Sequence, residues 1–138
     1  LWGGNLSVLV SLLGTPYFPN VQGGILFLED VAEPAYRIER ALLQLMYAGV
    51  LASQSAVILG DFTGSERGAG VGAGHFGLRD VIDSMRRILK VPVLTGFSIG
   101  HVPTCVTIPT GVVGDVALRG STWTLHADVT KILPKTAP

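Results

Sequence analysis

A single stretch decides the fold of this chain: Ile25-Leu26-Phe27-Leu28-Glu29-Asp30, an apolar run that ends on two carboxylates. Four consecutive bulky apolar residues are typical of a strand that is buried on both faces. The end of such a strand lies at the rim of a sheet, where the functional groups of α/β proteins gather. Because neighbouring strand residues point to opposite faces, only one of Glu29 and Asp30 can enter a shared site. Glu29, closer to the apolar run, is the more constrained of the two, and the pattern fits a buried structural acid and a catalytic acid equally well.

Helices and strands alternate on both sides of this stretch. Asn5 is placed to cap a short helix, and Pro34 lies near the first position of a second one. The pattern predicts helices over residues 6–13, 33–49 and 78–89, and buried strands over residues 24–29, 56–60 and 91–94. Short alternating strands follow over residues 106–108, 112–118 and 122–126. We therefore expect an α/β domain, in which a small parallel sheet is layered with antiparallel strands and packed helices.

The composition limits the classes of function that need to be considered. The chain has 138 residues, enough for one domain with a proper core, and no internal boundary is evident within 1–138. Its formal net charge is zero and it has no basic patch, so we expect neither a nucleic-acid partner nor an electrostatic membrane contact. Charged residues make up only 14%, against about 25% in typical soluble domains. Either a partner domain or subunit covers part of the surface, or the chain is a compact α/β core.

The termini and the single cysteine bear on the cellular compartment of the protein. No apolar run approaches the ~20 residues of a membrane helix, and the first residues lack a signal-peptide pattern. The chain begins at Leu1 instead of Met, which we interpret as a cut within a longer protein. Cys105 is the only cysteine, so an internal disulfide is excluded. A reducing compartment suits this composition, and we expect a cytoplasmic protein.

A second polar group follows the predicted strand over residues 91–94. That strand leads through a short segment to His101. Glu29 and His101 are far apart in sequence, yet two strands of one sheet could bring them together. A carboxylate that orients a histidine is half of a hydrolytic triad, and the activated nucleophile is the part that is missing.

The segment Gly96-Phe97-Ser98-Ile99-Gly100 matches the nucleophile-elbow pattern G-x-S-x-G. It would make Ser98 the nucleophile and His101 or His126 the base. Such an elbow requires a helix directly after the serine. Pro103 and the β-branched residues after it disfavour a helix there, so an ordinary loop serine is the favoured interpretation.

A glycine-rich stretch, Gly72-Ala73-Gly74-His75-Phe76-Gly77, fits the pattern G-x-G-x-x-G. A dinucleotide site needs these glycines directly after a strand, with an acidic residue about 20 positions later. Neither condition is met, so we interpret the stretch as a flexible loop. The histidines and Cys105 lack the spacing of metal ligands, and His126 lies on one face of the last strand with two threonines, as a surface residue.

Three segments together resemble one family. They are Gly3-Gly4-Asn5-Leu6 with Leu13-Gly14-Thr15-Pro16-Tyr17, Leu28-Glu29-Asp30-Val31 with Tyr36-Arg37-Ile38-Glu39-Arg40, and Gly100-His101 with Ile108-Pro109-Thr110-Gly111. The chain resembles the C-terminal domain of the LD-carboxypeptidases, the muramoyltetrapeptide carboxypeptidase family of serine peptidases, to which microcin-immunity peptidases are related. The resemblance covers essentially all 138 residues and implies a layered β/β/α domain.

The resemblance also implies a catalytic role. The family's Ser-Glu-His triad places its glutamate on Glu29 and its histidine on His101, while its serine belongs to a separate N-terminal nucleophile domain. The implied reaction removes a terminal D-alanine from a muropeptide tetrapeptide during cell-wall recycling, without metal or cofactor. We therefore expect the isolated chain to be inactive, the Ser98 motif to be a coincidence, and the full-length protein to be a homodimer. The alternatives are a non-catalytic packing or peptide-binding domain, or a peptidase of the microcin-immunity type.

Overall fold

We describe the fold from a computed structural model, which covers residues 1–66 and 76–130. The strands are β1 (Trp2–Asn5), β2 (Ile25–Val31), β3 (Ala56–Thr63), β4 (Val93–Leu94), β5 (Gly114–Arg119) and β6 (Thr122–Ala127). The helices are α1 (Leu6–Ser11), α2 (Ala35–Tyr47) and α3 (Leu78–Ile88). In this part of the chain, no helix has both the length and the apolar character needed to cross a bilayer.

The described elements form three layers. The strands β1, β2, β3 and β4 pair in that order as one parallel sheet. The strands β5 and β6 form an antiparallel hairpin. One core lies between the parallel sheet and the helices, and a second, smaller core lies between the sheet and the hairpin. This arrangement confirms the predicted α/β fold with its parallel sheet, antiparallel strands and packed helices.

Side chains along β2 alternate between the two cores, one on each face of the sheet. Leu26 and Leu28 point into the core under the helices, whereas Ile25 and Phe27 point into the core under the hairpin. All four are buried, because this strand lies inside the sheet with a neighbour on each side. The same alternation, continued by two residues, sends Glu29 and Asp30 to opposite faces.

The helices α1 and α3 begin at the predicted residues, α2 begins two residues later than predicted, and all three end one or two residues early. The Asn5 side chain caps α1 by accepting a hydrogen bond of 3.0 Å from the N–H of Val8. Pro34 occupies the N-cap position of α2, where its missing N–H costs nothing. Val81 and Met85, one turn apart on α3, are both buried against the sheet side.

The first strand, β1, was not predicted, because it contains two glycines and glycine is disfavoured in strands. Gly3 pairs with Phe27 in parallel register and has a φ of +140°. A Cβ at this position would overlap the backbone carbonyl of Phe27, so only glycine allows β1 to approach β2 this closely.

The prediction of a strand over residues 106–108 is wrong. Residues 95–113 are irregular, and β5 begins only at Gly114. Ile108 packs against the core under the hairpin and Val106 remains 44% exposed, so their apolar character reflects loop packing and not a ladder. The predicted glycine-rich loop at residues 72–77 lies mostly outside the described residues.

Candidate active site

Glu29 lies near the carboxyl end of β2 on the face that β2 presents to the hairpin. Its side chain is 13% exposed, so the carboxylate is held by its surroundings and still reaches the surface. Asp30, on the opposite face, is buried and serves a different purpose. Its carboxylate accepts hydrogen bonds from the side-chain amide of Asn5, at 2.9 Å, and from the N–H and hydroxyl of Ser7, at 2.9 and 2.6 Å. Asp30 therefore attaches the start of α1 to β2, and of the two carboxylates only Glu29 lines the cavity at the rim of the sheet that is described below.

A bulge in β3 lies opposite Glu29. Leu28 pairs with Leu59 and Asp30 pairs with Phe62, so β3 contains one more residue than β2 over this interval. Bulges of this kind bend a strand and interrupt its ladder. The interruption exposes the N–H of Asp61 to a third segment, and it donates a 2.8 Å hydrogen bond to the carbonyl of Ile99.

Glycines at two positions allow that third segment to cross the bulge. A Cβ on Gly60 would lie 2.3 Å from the side chain of Ile99. A Cβ on Gly100, which has a φ of +124°, would lie 2.9 Å from the carbonyl oxygen of Asp61 and 3.2 Å from Oε2 of Glu29. The absence of both side chains lets the loop pass close enough to Glu29 to deliver the next residue, His101.

His101 meets Glu29 at this crossing. The imidazole Nδ1 lies 3.4 Å from Oε2 of Glu29, which is the contact that the sequence predicts. The distance is at the long end for a hydrogen bond. With Glu29 ionised, Nδ1 carries the hydrogen and Nε2 is left to exchange a proton. The His101 side chain is 64% exposed, so a reacting group can approach it.

Both side chains line an open cavity of about 300 Å³ at the rim of the sheet. The remaining lining residues are apolar or small: Gly4, Phe27, Ile99, Gly100, Cys105, Val106 and Ile108. A carboxylate in contact with an imidazole can hold the ring in one tautomer and stabilise the cation that forms when the ring accepts a proton.

Ser98 has no elbow geometry in the structure. β4 ends at Leu94, residues 95–99 are irregular, and the Ser98 hydroxyl donates a 3.0 Å hydrogen bond to the carbonyl of Thr104. The hydroxyl is thus used to close the loop. His126 is exposed on β6, as predicted, away from the residues that line the cavity.

His75 lies outside the described residues. Among residues 1–66 and 76–130, no group of three or more His, Cys, Asp and Glu side chains could hold a metal ion. Cys105 is an exposed free thiol that lines the cavity, a position that the sequence did not indicate because it depends on the path of an irregular loop.

Comparisons with known proteins identify the family of the chain. Residues 1–116 match the model of the LD-carboxypeptidase C-terminal domain family. A protein from Bacillus subtilis with the name "probable murein peptide carboxypeptidase" is 34% identical over 139 residues, which cover 99% of this chain and 42% of that protein. The crystal structure of muramoyltetrapeptide carboxypeptidase from Oxalobacter formigenes is 36% identical with a TM-score of 0.80, over 91% of this chain and 44% of that one.

A further relative has a different biological role. The Escherichia coli microcin C7 self-immunity protein MccF is 34% identical over 116 residues, which cover 80% of this chain and 31% of MccF. A structure of MccF in complex with glutamyl sulfamoyl guanosine matches with a TM-score of 0.65 at 30% identity, over 80% of this chain and 32% of that one.

This chain spans less than half the length of each of these relatives. Its family is nevertheless clear, because the family model extends from β1 into β5 and includes the strand and the loop that carry Glu29 and His101. The chain belongs to the LD-carboxypeptidase C-terminal domain family.

Proposed function

We propose that this chain is the C-terminal part of a serine-type LD-carboxypeptidase that removes the terminal D-alanine from muropeptide tetrapeptides in cell-wall recycling. The observation that carries the proposal is the contact between Oε2 of Glu29 and Nδ1 of His101 in an open cavity. The nucleophilic serine comes from an N-terminal domain of the same protein. The exposed thiol of Cys105 suits a reducing compartment, so we propose that the reaction takes place in the cytoplasm. We also propose that the full-length protein is a homodimer, as the family resemblance implies.

The mechanism assigns one role to each of the two side chains. Nε2 of His101 takes the proton from the serine hydroxyl as the serine oxygen attacks the carbonyl carbon that precedes D-alanine. The imidazolium then gives this proton to the amide nitrogen, the C–N bond breaks, and D-alanine leaves. A water molecule repeats both steps on the acyl-enzyme and regenerates the serine. Glu29 holds the ring in the required tautomer and compensates its charge throughout.

The test uses the full-length protein and measures release of D-alanine from a tetrapeptide that ends in meso-diaminopimelate–D-alanine. We expect His101→Ala to lower kcat by about 10³-fold or more with little change in KM, because a general base acts in the transition state. His126→Ala is the matched control, since His126 is exposed on β6. Normal turnover by His101→Ala would refute the proposed role of His101.

A second variant separates catalysis from stability. Glu29→Gln still offers an oxygen to the ring but no longer compensates the imidazolium, so we expect kcat to fall while the melting temperature stays close to that of the wild type. If Glu29→Gln instead melts early and each folded molecule turns over normally, Glu29 is a structural acid. The isolated 138-residue chain should release no D-alanine, and turnover that is abolished by Ser98→Ala would restore the elbow interpretation.

The similarity to MccF favours one second candidate, a peptidase of the microcin-immunity type. The discriminating substrate is glutamyl sulfamoyl guanosine, the compound bound in the MccF structure. We expect the tetrapeptide to be cleaved and this compound to be left intact. Cleavage of the sulfamoyl compound without release of D-alanine would favour the immunity function.

A further inference from the structure

The loop that carries His101 is held against the end of β3 by two hydrogen bonds on either side of Gly100. The first is the bond of 2.8 Å from the N–H of Asp61 to the carbonyl of Ile99. The second runs from Oγ1 of Thr63 to the carbonyl oxygen of His101, at 3.0 Å. The threonine hydroxyl thus supplies to His101 the donor that a backbone N–H supplies in a regular ladder.

Thr63 is itself fixed to the strand that carries Glu29. It is the last residue of β3 and pairs with Val31 of β2. Its carbonyl oxygen accepts a hydrogen bond of 2.7 Å from the N–H of Ala32. Ala32 has a φ of +58°, a conformation that alanine rarely adopts and that persists only where neighbouring contacts impose it. Thr63 therefore joins the end of β2 to the loop of His101.

A connection of this kind restrains the backbone of His101, which lies in an irregular loop. Its side chain is 64% exposed, and the residues around it form neither helix nor strand. A rotation of the backbone at this position would carry Nδ1 away from Glu29. In enzymes, misplacement of a reacting group by about 1 Å can cost about 10²-fold in rate.

We propose that Thr63 is a positioning residue for the catalytic base. Its hydroxyl holds the His101 carbonyl so that Nδ1 faces Glu29 and Nε2 is free to take the serine proton. This inference rests on the proposed function, and it deepens it by assigning the orientation of the base to a residue outside the triad.

The experiment compares Thr63→Val, which keeps the shape and removes the hydroxyl, with Thr63→Ser, which keeps the hydroxyl, in the full-length protein. We expect Thr63→Val to lower kcat by about 10-fold to 10²-fold with KM within about twofold. Thr63→Ser should retain most of the wild-type kcat. Thr124→Val is the matched control, because Thr124 is also an exposed strand threonine, on β6.

A second readout does not depend on turnover. In the full-length protein with ¹³C-labelled histidine, the ring signal of His101 is assigned by its loss in His101→Gln. We expect this signal to move and broaden in Thr63→Val, and to stay as in the wild type in Thr63→Ser and Thr124→Val. If the wild type releases no D-alanine, the proposed function fails, while the ring signal still tests the role of Thr63.

Two results would overturn the inference. One is a Thr63→Val variant with the wild-type ring signal and the wild-type kcat. The other is a variant whose melting temperature falls while its ring signal is unchanged, since that would give Thr63 a purely structural role.

Discussion

The substitution Gly100→Ala tests how the site is assembled. Gly100 has a φ of +124°, outside the region that alanine occupies, and the strain of holding alanine there is about 1–3 kcal/mol. The new Cβ would also lie 2.9 Å from the carbonyl oxygen of Asp61 and 3.2 Å from the Cβ and Oε2 of Glu29. Overpacking of this kind costs about 1–3 kcal/mol. The loop can relieve part of the cost by moving away from β3, so we expect a loss of about 2–4 kcal/mol in the free energy of unfolding.

The assay is urea unfolding of the chain, together with D-alanine release by the full-length protein. A displaced loop carries His101 away from Glu29, so kcat should fall with the stability. Gly111→Ala is the matched control: Gly111 also has a positive φ, +76°, but a Cβ there would meet nothing within 4 Å among the described residues beyond its chain neighbours. It should cost only about 1–2 kcal/mol and leave kcat unchanged. Equal losses of stability and activity in the two variants would refute the argument that the contacts of Gly100 assemble the site.

Two further substitutions test the supports beneath the site. Asp30→Ala removes the acceptor of three hydrogen bonds from Asn5 and Ser7, and we expect the free energy of unfolding in urea to fall by about 3–5 kcal/mol. The exposed control Asp115→Ala should lower it by less than about 0.5 kcal/mol. Equal losses in the two variants would contradict the role of Asp30 as an anchor of α1. Gly3→Ala would overlap the carbonyl of Phe27 and should destabilise the protein by at least about 2 kcal/mol more than Gly4→Ala, whose Cβ would meet nothing within 4 Å in the described part of the chain. Comparable unfolding midpoints for the two variants would show that β1 can move aside.

Much of the fold was predictable because it depends on local patterns. The apolar run of β2 identifies a buried strand, and Asn5 and Pro34 mark the starts of two helices. These features depend on side-chain period, capping and proline geometry, all of which operate over a few neighbouring residues. The family of the chain was predictable for a related reason, since it depends on segments that are recognisable in the sequence itself.

The identity of the site residues was also accessible from the sequence, and their contact is present in the structure. Oε2 of Glu29 lies 3.4 Å from Nδ1 of His101. Asp30 points to the opposite face of the sheet, as the alternation along a strand requires. Their catalytic roles stay a prediction until the kinetics are measured. The residues that bring the pair together were not accessible. Neither Gly60 nor Thr63 belongs to a pattern that singles it out.

The sequence by itself determined the central strand, the helices, the faces of Glu29 and Asp30, and the family. Only the tertiary structure decided that the glycine-containing β1 is a strand, that β3 bulges opposite Glu29, and that residues 95–113 cross the rim of the sheet as an irregular loop. The physical reason is that a close approach, a bulge and a tether each require a partner far away in the chain. Gly3 needs its space only because Phe27 lies against it, and Thr63 holds His101 only because β3 and the loop have met.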